Sequence, residues 1–165
     1  MIYKKINYIR IPFQSLSSGT TLFSKSNSPI NTYGDEIMAY TYTPLSDNSK
    51  IIITPVINAS SSLSFNWLSS AVFFDSETAS RGNMLSHNSF GGENTPISYK
   101  ARVYNSSKTP INIKVRAGGN TFGGTITYNK FFAGDTASSL LIEEFLILSW
   151  NYGWIQTNKL WPRII

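Results

Sequence analysis

The chain has 165 residues, with 14 Lys or Arg against nine Asp or Glu, a formal net charge of +5, one histidine and no cysteine. That length suits one domain with its own core; the missing thiols exclude a disulfide framework and a thiolate metal site, and a lone His87 excludes a multi-histidine metal centre. Charged residues make up only 14% of the chain while Ser, Thr and Asn fill 53 positions, so neutral hydroxyls and amides must cover a surface that in a cytoplasmic enzyme carries more charge.

Residues 2–11 read as a short strand or arm, and the turn-rich stretch 15–33, with Gly19, Pro29 and repeated Ser and Asn, reads as loop. Residues 36–43 alternate, with Met38, Tyr40 and Tyr42 on one side and Ile37, Ala39 and Thr41 on the other. A turn built from Pro44, Asp47 and Asn48 leads into residues 50–57, a nearly continuous apolar, β-branched run. That run is the pattern of a strand buried on both faces, with Pro55 pointing to an edge or a bulge. The Ser-rich segment 58–62 reads as loop and 67–74 as a further apolar strand ending at Asp75. Polar residues and glycines then dominate to Pro96.

Residues 97–104 place Ile97, Tyr99, Ala101 and Val103 opposite Ser98, Lys100, Arg102 and Tyr104, and residues 111–117 repeat the pattern with Ile111, Ile113 and Val115. The loop 105–110 between them predicts a hairpin. Two Gly-Gly pairs, at 118–119 and 123–124, break the next section before a strand at 125–129, and residues 139–148 close the domain as a long strand. About eight short strands without a helical stripe predict an all-β fold, an antiparallel β-sandwich or jelly roll, with a closed barrel as the alternative. The single domain spans residues 1–148, and residues 149–165 form an aromatic-rich C-terminal extension.

The chemistry of catalysis is sparse. Ser86 precedes His87, but adjacency makes no catalytic pair, and no Gly-x-Ser-x-Gly elbow surrounds any serine, so His87 reads as a solvent-exposed loop residue. Glu143 and Glu144 are adjacent on a strand and therefore point to opposite faces, which suits no paired-acid hydrolase. Asp35 and Glu36 could contribute to a calcium site, although no EF-hand spacing is present. The glycines spell no phosphate-binding fingerprint and serve turns or bulges. Basic residues are spread from Lys4 to Arg163 with no cluster longer than the pair Lys4-Lys5, which argues against a nucleic-acid stripe; the one basic patch that alternation could build joins Lys100 and Arg102 to Lys114 and Arg116. No apolar run is long enough for a membrane-spanning helix, and no secretory leader is evident. The expectation is a non-enzymatic protein without cofactor or metal.

Three blocks of sequence resemble the C-terminal modules of bacteriophage tail fibres. Thr43-Pro44 followed by Ser49-Lys50-Ile51-Ile52-Ile53 is similar to their turn-and-strand signature, preceded by Pro29-Ile30 and Gly34-Asp35-Glu36. Residues 97–103 are similar to their late strand, and Ser138-Ser139-Leu140-Leu141-Ile142-Glu143-Glu144 to their closing strand. Each block is low in complexity; their order over residues 25–145 is what carries the resemblance. It implies a trimeric jelly roll of the C1q and tumour-necrosis-factor type on a virion surface, contacting other virion proteins or a host-cell receptor, often a glycan. It implies no catalytic residue. The chain departs from that pattern in having no long N-terminal shaft and in adding residues 146–165, which points to a head fibre, a capsid decoration or a tail-associated module.

The extension carries Trp150, Tyr152, Trp154 and Trp161 with few charges, the composition of a contact surface, and these four are the expected assembly residues. The alternative is that the segment packs on its own domain. The rival function is a lectin-like receptor binder in which the loops at 58–66 or 76–95 grip a host-surface glycan. A polysaccharide depolymerase would need paired acids in one cleft, which the sequence does not display.

Overall fold

The computed structural model describes residues 4–11, 14–17, 29–119, 125–129 and 137–146. They form strands β1 (Lys4–Ile11), β2 (Gln14–Ser17), β3 (Asp35–Tyr42), β4 (Ser49–Ser61), β5 (Asn66–Phe74), β6 (Gly82–Asn88), β7 (Thr95–Ser98), β8 (Ala101–Asn105), β9 (Ile111–Gly119), β10 (Thr125–Tyr128) and β11 (Ser138–Leu146). Every pairing among them is antiparallel.

β4 runs through the centre of the first sheet. On one edge it pairs with β11 over residues 49–56 and with β10 over 59–61; on the other it pairs with β8 over 49–53 and with β7 over 56–59. β1 lies along β11, and β2 along β10. Counting β1/β2, β7/β8 and β10/β11 as interrupted strands gives a four-stranded layer that faces the second sheet, β3-β9-β5-β6. In chain order those eight strands stack as 1-8-3-6 over 2-7-4-5, the antiparallel sandwich called a jelly roll.

Alternation builds the core between the layers. From the first sheet, Ile51, Ile53, Ile57, Ile97, Leu140 and Ile142 turn inward, and from the second Tyr42, Leu68, Val72, Ile113 and Val115; all are buried. Each such side chain contributes about 1.5–3 kcal/mol of hydrophobic stabilisation.

The structure corrects several local expectations. β4 is not buried on both faces: its odd-numbered residues are buried from Ser49 to Ala59, while the even-numbered ones are half-exposed. Pro55 sits in this central strand, not at an edge, and is tolerated because the ladder to β7 and β8 is interrupted opposite Thr54 and Pro55, so no bond is lost on that side. The Ser-rich segment is not a loop at its start, since β4 continues to Ser61 against β10 and β7.

The run at 97–104 keeps its alternation but splits into β7 and β8. These strands form no hairpin with β9, because both edges of β9 are taken by β3 and β5 in the opposite sheet. β6 falls in the polar stretch after Asp75, and β2 in part of the expected loop at 15–33. In β3 a bulge between Glu36 and Met38 turns Ile37 and Met38 inward together.

One buried charge anchors the end of the sandwich where β3 turns into β4. Glu144 of β11 has no exposed surface. The Tyr42 hydroxyl donates to its Oε2 at 2.6 Å, and the Leu45 N–H donates to both carboxylate oxygens at 3.0 Å. Burial alone would raise this carboxyl, but the bond from Tyr42, backed by the N–H groups of Leu45 and Ser46, holds it below the usual carboxylate range. Burial pushes the Tyr42 phenol well up, so it remains a donor.

A carboxyl whose folded pKa is depressed stabilises the fold above its unfolded value, about 4.3 for Glu, and loses that contribution as pH falls through the folded value. Glu144→Gln should therefore lower unfolding free energy by about 1.5–3 kcal/mol at pH 7. The difference from wild type should shrink steadily below about pH 4.3 in urea titrations; a gap independent of pH would contradict the assignment.

Candidate functional site

The loops at the two ends of the sandwich differ in character. At one end of β5, the β4–β5 connection at 62–65 meets the β6–β7 connection at 89–94. The sequence is short of apolar neighbours there, so backbone and hydroxyl bonds do the holding. Gly92 N–H donates to Ser61 O at 2.6 Å, Gly91 N–H to Ser64 Oγ at 3.0 Å and Ser62 N–H to Thr125 O at 2.9 Å. The buried Ser61 hydroxyl accepts from Leu63 N–H and from the buried Asn66 amide. Glu93 accepts from the N–H groups of Ser89 and Phe90 and so closes its own turn. The contact is tight: a Cβ on Gly91 would stand 2.7 Å from the Ser62 carbonyl oxygen.

These stitched loops carry aromatic rings outward. Phe65 is 72% exposed and Phe90 71%. Phe65 also has φ of 56°, a left-handed conformation that is costly for a bulky residue. Its ring centroid lies 6.1 Å from that of His87, and the Trp67 ring meets His87 edge-on at 5.0 Å. Trp67 and His87 are cross-strand partners on β5 and β6. Leu85 follows His87 along the same outer face, 39% exposed. His87 is thus exposed as expected, but it belongs to a strand and forms the middle of a three-ring cluster.

At the other end of β5, a cleft of about 210 Å³ opens between the 75–81 turn and the 105–111 connection. Its charges are already committed: Arg81 donates to Glu77 through Nε and Nη2, and Asp75 accepts from the N–H and amide of Asn112.

The remaining sequence candidates separate. Glu143 and Glu144 do face opposite ways, one half-exposed and one fully buried. Lys100 and Arg102 flank and occupy β8 in the first sheet, whereas Lys114 and Arg116 belong to β9 in the second, so they lie on opposite outer faces and form no common patch.

Asp35 and Glu36 are organised around a guanidinium. Arg116 donates to Tyr33 O at 2.7 Å and to Gly34 O at 2.5 Å, and reaches Glu36 at 3.5 Å. Burial raises the Asp35 carboxyl, against the opposing pull of Arg116. Among the described residues no three His, Asp or Glu side chains gather as metal ligands. Trp150, Tyr152, Trp154 and Trp161 lie outside the described residues.

The rings that the structure brings together are Phe65, Trp67 and His87, with Phe90 exposed on the adjoining loop; sequence reasoning named His87 only as an exposed loop residue and did not name Phe65, Trp67 or Phe90, although its candidate glycan-binding loops at 58–66 and 76–95 include Phe65, His87 and Phe90. A signal was present for Phe90, which stands alone among Ser, Asn and Gly; Phe65 continues an alternation with Leu63 and Trp67 and carried no such signal.

No protein-family model matches the chain, and no curated protein does. Among solved structures, the chain is similar to the CBM36-1 domain of a multidomain xylanase from the hindgut metagenome of Trinervitermes trinervoides, at 12% identity over 84% of this chain and 96% of that one, with a TM-score of 0.42. It is also similar to the infectious bursal disease virus VP2 subviral particle, at 9% identity over 88% of this chain but only 42% of that one, with a TM-score of 0.43. The extra small virus particle of the prawn Macrobrachium rosenbergii matches at 11% identity, over 87% and 79% of the two chains, with a TM-score of 0.27. Likenesses this distant bear on neither activity nor partner, and the fold assignment rests on the strand registers.

If Phe65 is held in a strained conformation for what its ring does outside the fold, removing the ring should not cost stability. Phe65→Gly should leave the unfolding free energy unchanged or raise it by up to about 1 kcal/mol, since glycine adopts positive φ freely. Gly91→Ala should lower it by about 1–3 kcal/mol through the clash with Ser62. Chemical denaturation measures both.

Proposed function

We propose that this chain is a structural module of a bacteriophage virion surface, a head fibre, capsid decoration or tail-associated protein, that acts by assembly and surface binding and not by catalysis. The observation that carries the binding half of this reading is the aromatic tip, where backbone strain at Phe65 and loop-to-loop bonds present the large rings of Phe65 and Phe90 to solvent. Exposed, rigid aromatic anchors are the commonest source of binding energy at protein surfaces. Against a catalytic reading, the described carboxylates are dispersed: Asp75, Glu77 and Glu93 are each spent on a neighbouring group, and Glu144 is sealed in the core.

The virion context is supported by the ordered sequence blocks that resemble tail-fibre modules, and by a jelly-roll topology of the kind that the resemblance led us to expect. In this reading the chain forms a homotrimer and contacts other virion proteins, with the rings of Trp150, Tyr152, Trp154 and Trp161 as the assembly contact. Repetition of the tip around a trimer would multiply weak contacts through avidity.

Light scattering on the full chain and on a chain lacking residues 149–165 tests the assembly half. The expected results are three times the chain mass for the first and a folded monomer for the second. A full chain that is monomeric at all concentrations would remove the trimer from the proposal, and unfolding of the shortened chain would assign the segment to its own domain.

A further inference from the structure

We infer that the Phe65–His87–Trp67 face, with Phe90 exposed on the adjoining loop, is a binding site for a neutral saccharide; this rests on the reading of the aromatic tip as the binding end of the module.

The first ground is the shape and rigidity of the ring cluster. Three rings touch in sequence, at centroid separations of 6.1 and 5.0 Å and tilts of 43° and 64°. They offer a continuous but faceted surface longer than one ring. The electron-rich face of an aromatic ring attracts polarised C–H groups, and a pyranose presents such groups from one side of its own ring. Two of the supports are fixed by strand pairing, and the third by the stitched loop, so little conformational entropy is lost on binding.

The second ground is what surrounds the rings. Ser62, Ser64 and Ser89 lie in the same two loops, with Asn94 at their end, and supply the hydroxyl and amide partners that sugar hydroxyls need. Formal charge is scarce: the tip loops hold one carboxylate, Glu93, whose Oε2 is engaged by two backbone N–H groups, and no Lys or Arg. A phosphate, a sulfated or sialylated glycan, or an anionic lipid surface would find no Lys or Arg to pair with among the described residues of these two loops. A neutral ligand that alternates apolar faces with hydroxyls fits both the rings and their rim.

The test is equilibrium titration of the full chain, followed by calorimetry, with cellohexaose, xylohexaose, maltohexaose and chitohexaose, and with a heparin hexasaccharide as the charged arm. The expected result is saturable binding of at least one neutral hexasaccharide, weakened about tenfold or more by Phe65→Ala and by Trp67→Ala. Tyr104→Ala, an equally exposed ring on the opposite sheet, should leave it unchanged.

Saturable binding of heparin alone, abolished by Phe65→Ala, would overturn the neutral class while keeping the tip as the binding end. Saccharide binding that survives both tip variants would overturn the site itself. Absence of saturable binding across all five probes would overturn the inference and leave the tip's role to be decided by assembly measurements.

Discussion

A thirteen-residue strand with four partners sets the geometry of the whole molecule. β4 is long enough to accept β8 and β7 end to end on one edge and β11 and β10 on the other. Because side chains on a strand alternate with a period of two, one register choice for β4 decides the inward residues of every neighbour: Ile53 inward requires Ala101 and Ile142 inward beside it, and Ile57 requires Ile97. The second sheet must then close over that face, and the bulge at Ile37 with the Glu144–Tyr42–Leu45 cluster fixes how the chain passes from one layer to the other.

The same constraint explains the tip. Both of its connections join strands paired within the sandwich, β4 to β5 and β6 to β7, so the loops are short and their ends are held. Where the core gives out, hydroxyls and backbone groups take over: Ser61 and Asn66 are buried but bonded to each other, Gly91 approaches Ser62 more closely than a side chain would permit, and Gly92 bonds to the Ser61 carbonyl. The loop residues that face solvent then carry the exposed rings of Phe65 and Phe90. A strained φ at Phe65 costs stability that the surrounding bonds must offset, which is the pattern expected of a residue kept for an external contact.

Much of this was legible in the residues. Alternation in 97–104 and 111–117 assigned the inward side chains, and in 36–43 it did so except at Ile37, which the bulge turns inward beside Met38; the absence of any helical stripe pointed to the all-β class. What alternation cannot do is name a strand's partner: residues 97–104 and 111–117 look like a hairpin from their spacing, yet they belong to opposite sheets because β9 is saturated by β3 and β5. β6 escaped notice because an edge strand needs little apolar surface, and Met84 and Leu85 are its only large apolar residues. The serines at the end of β4 imitate a loop in composition while their hydroxyls are satisfied inside a sheet. The aromatic tip was the least legible feature, since it depends on two loops separated in sequence being brought together by the fold.

Native-state amide hydrogen exchange on the full chain tests the central claim, that a sandwich organised on β4 holds a rigid aromatic tip. The account predicts that the amides of Ser62, Gly91 and Gly92, each donating to a loop or strand acceptor, are protected together with those of β4. Protection along β4 with free exchange at those three amides would contradict it, because Phe65 and Phe90 would then ride on mobile loops with no preformed face to present.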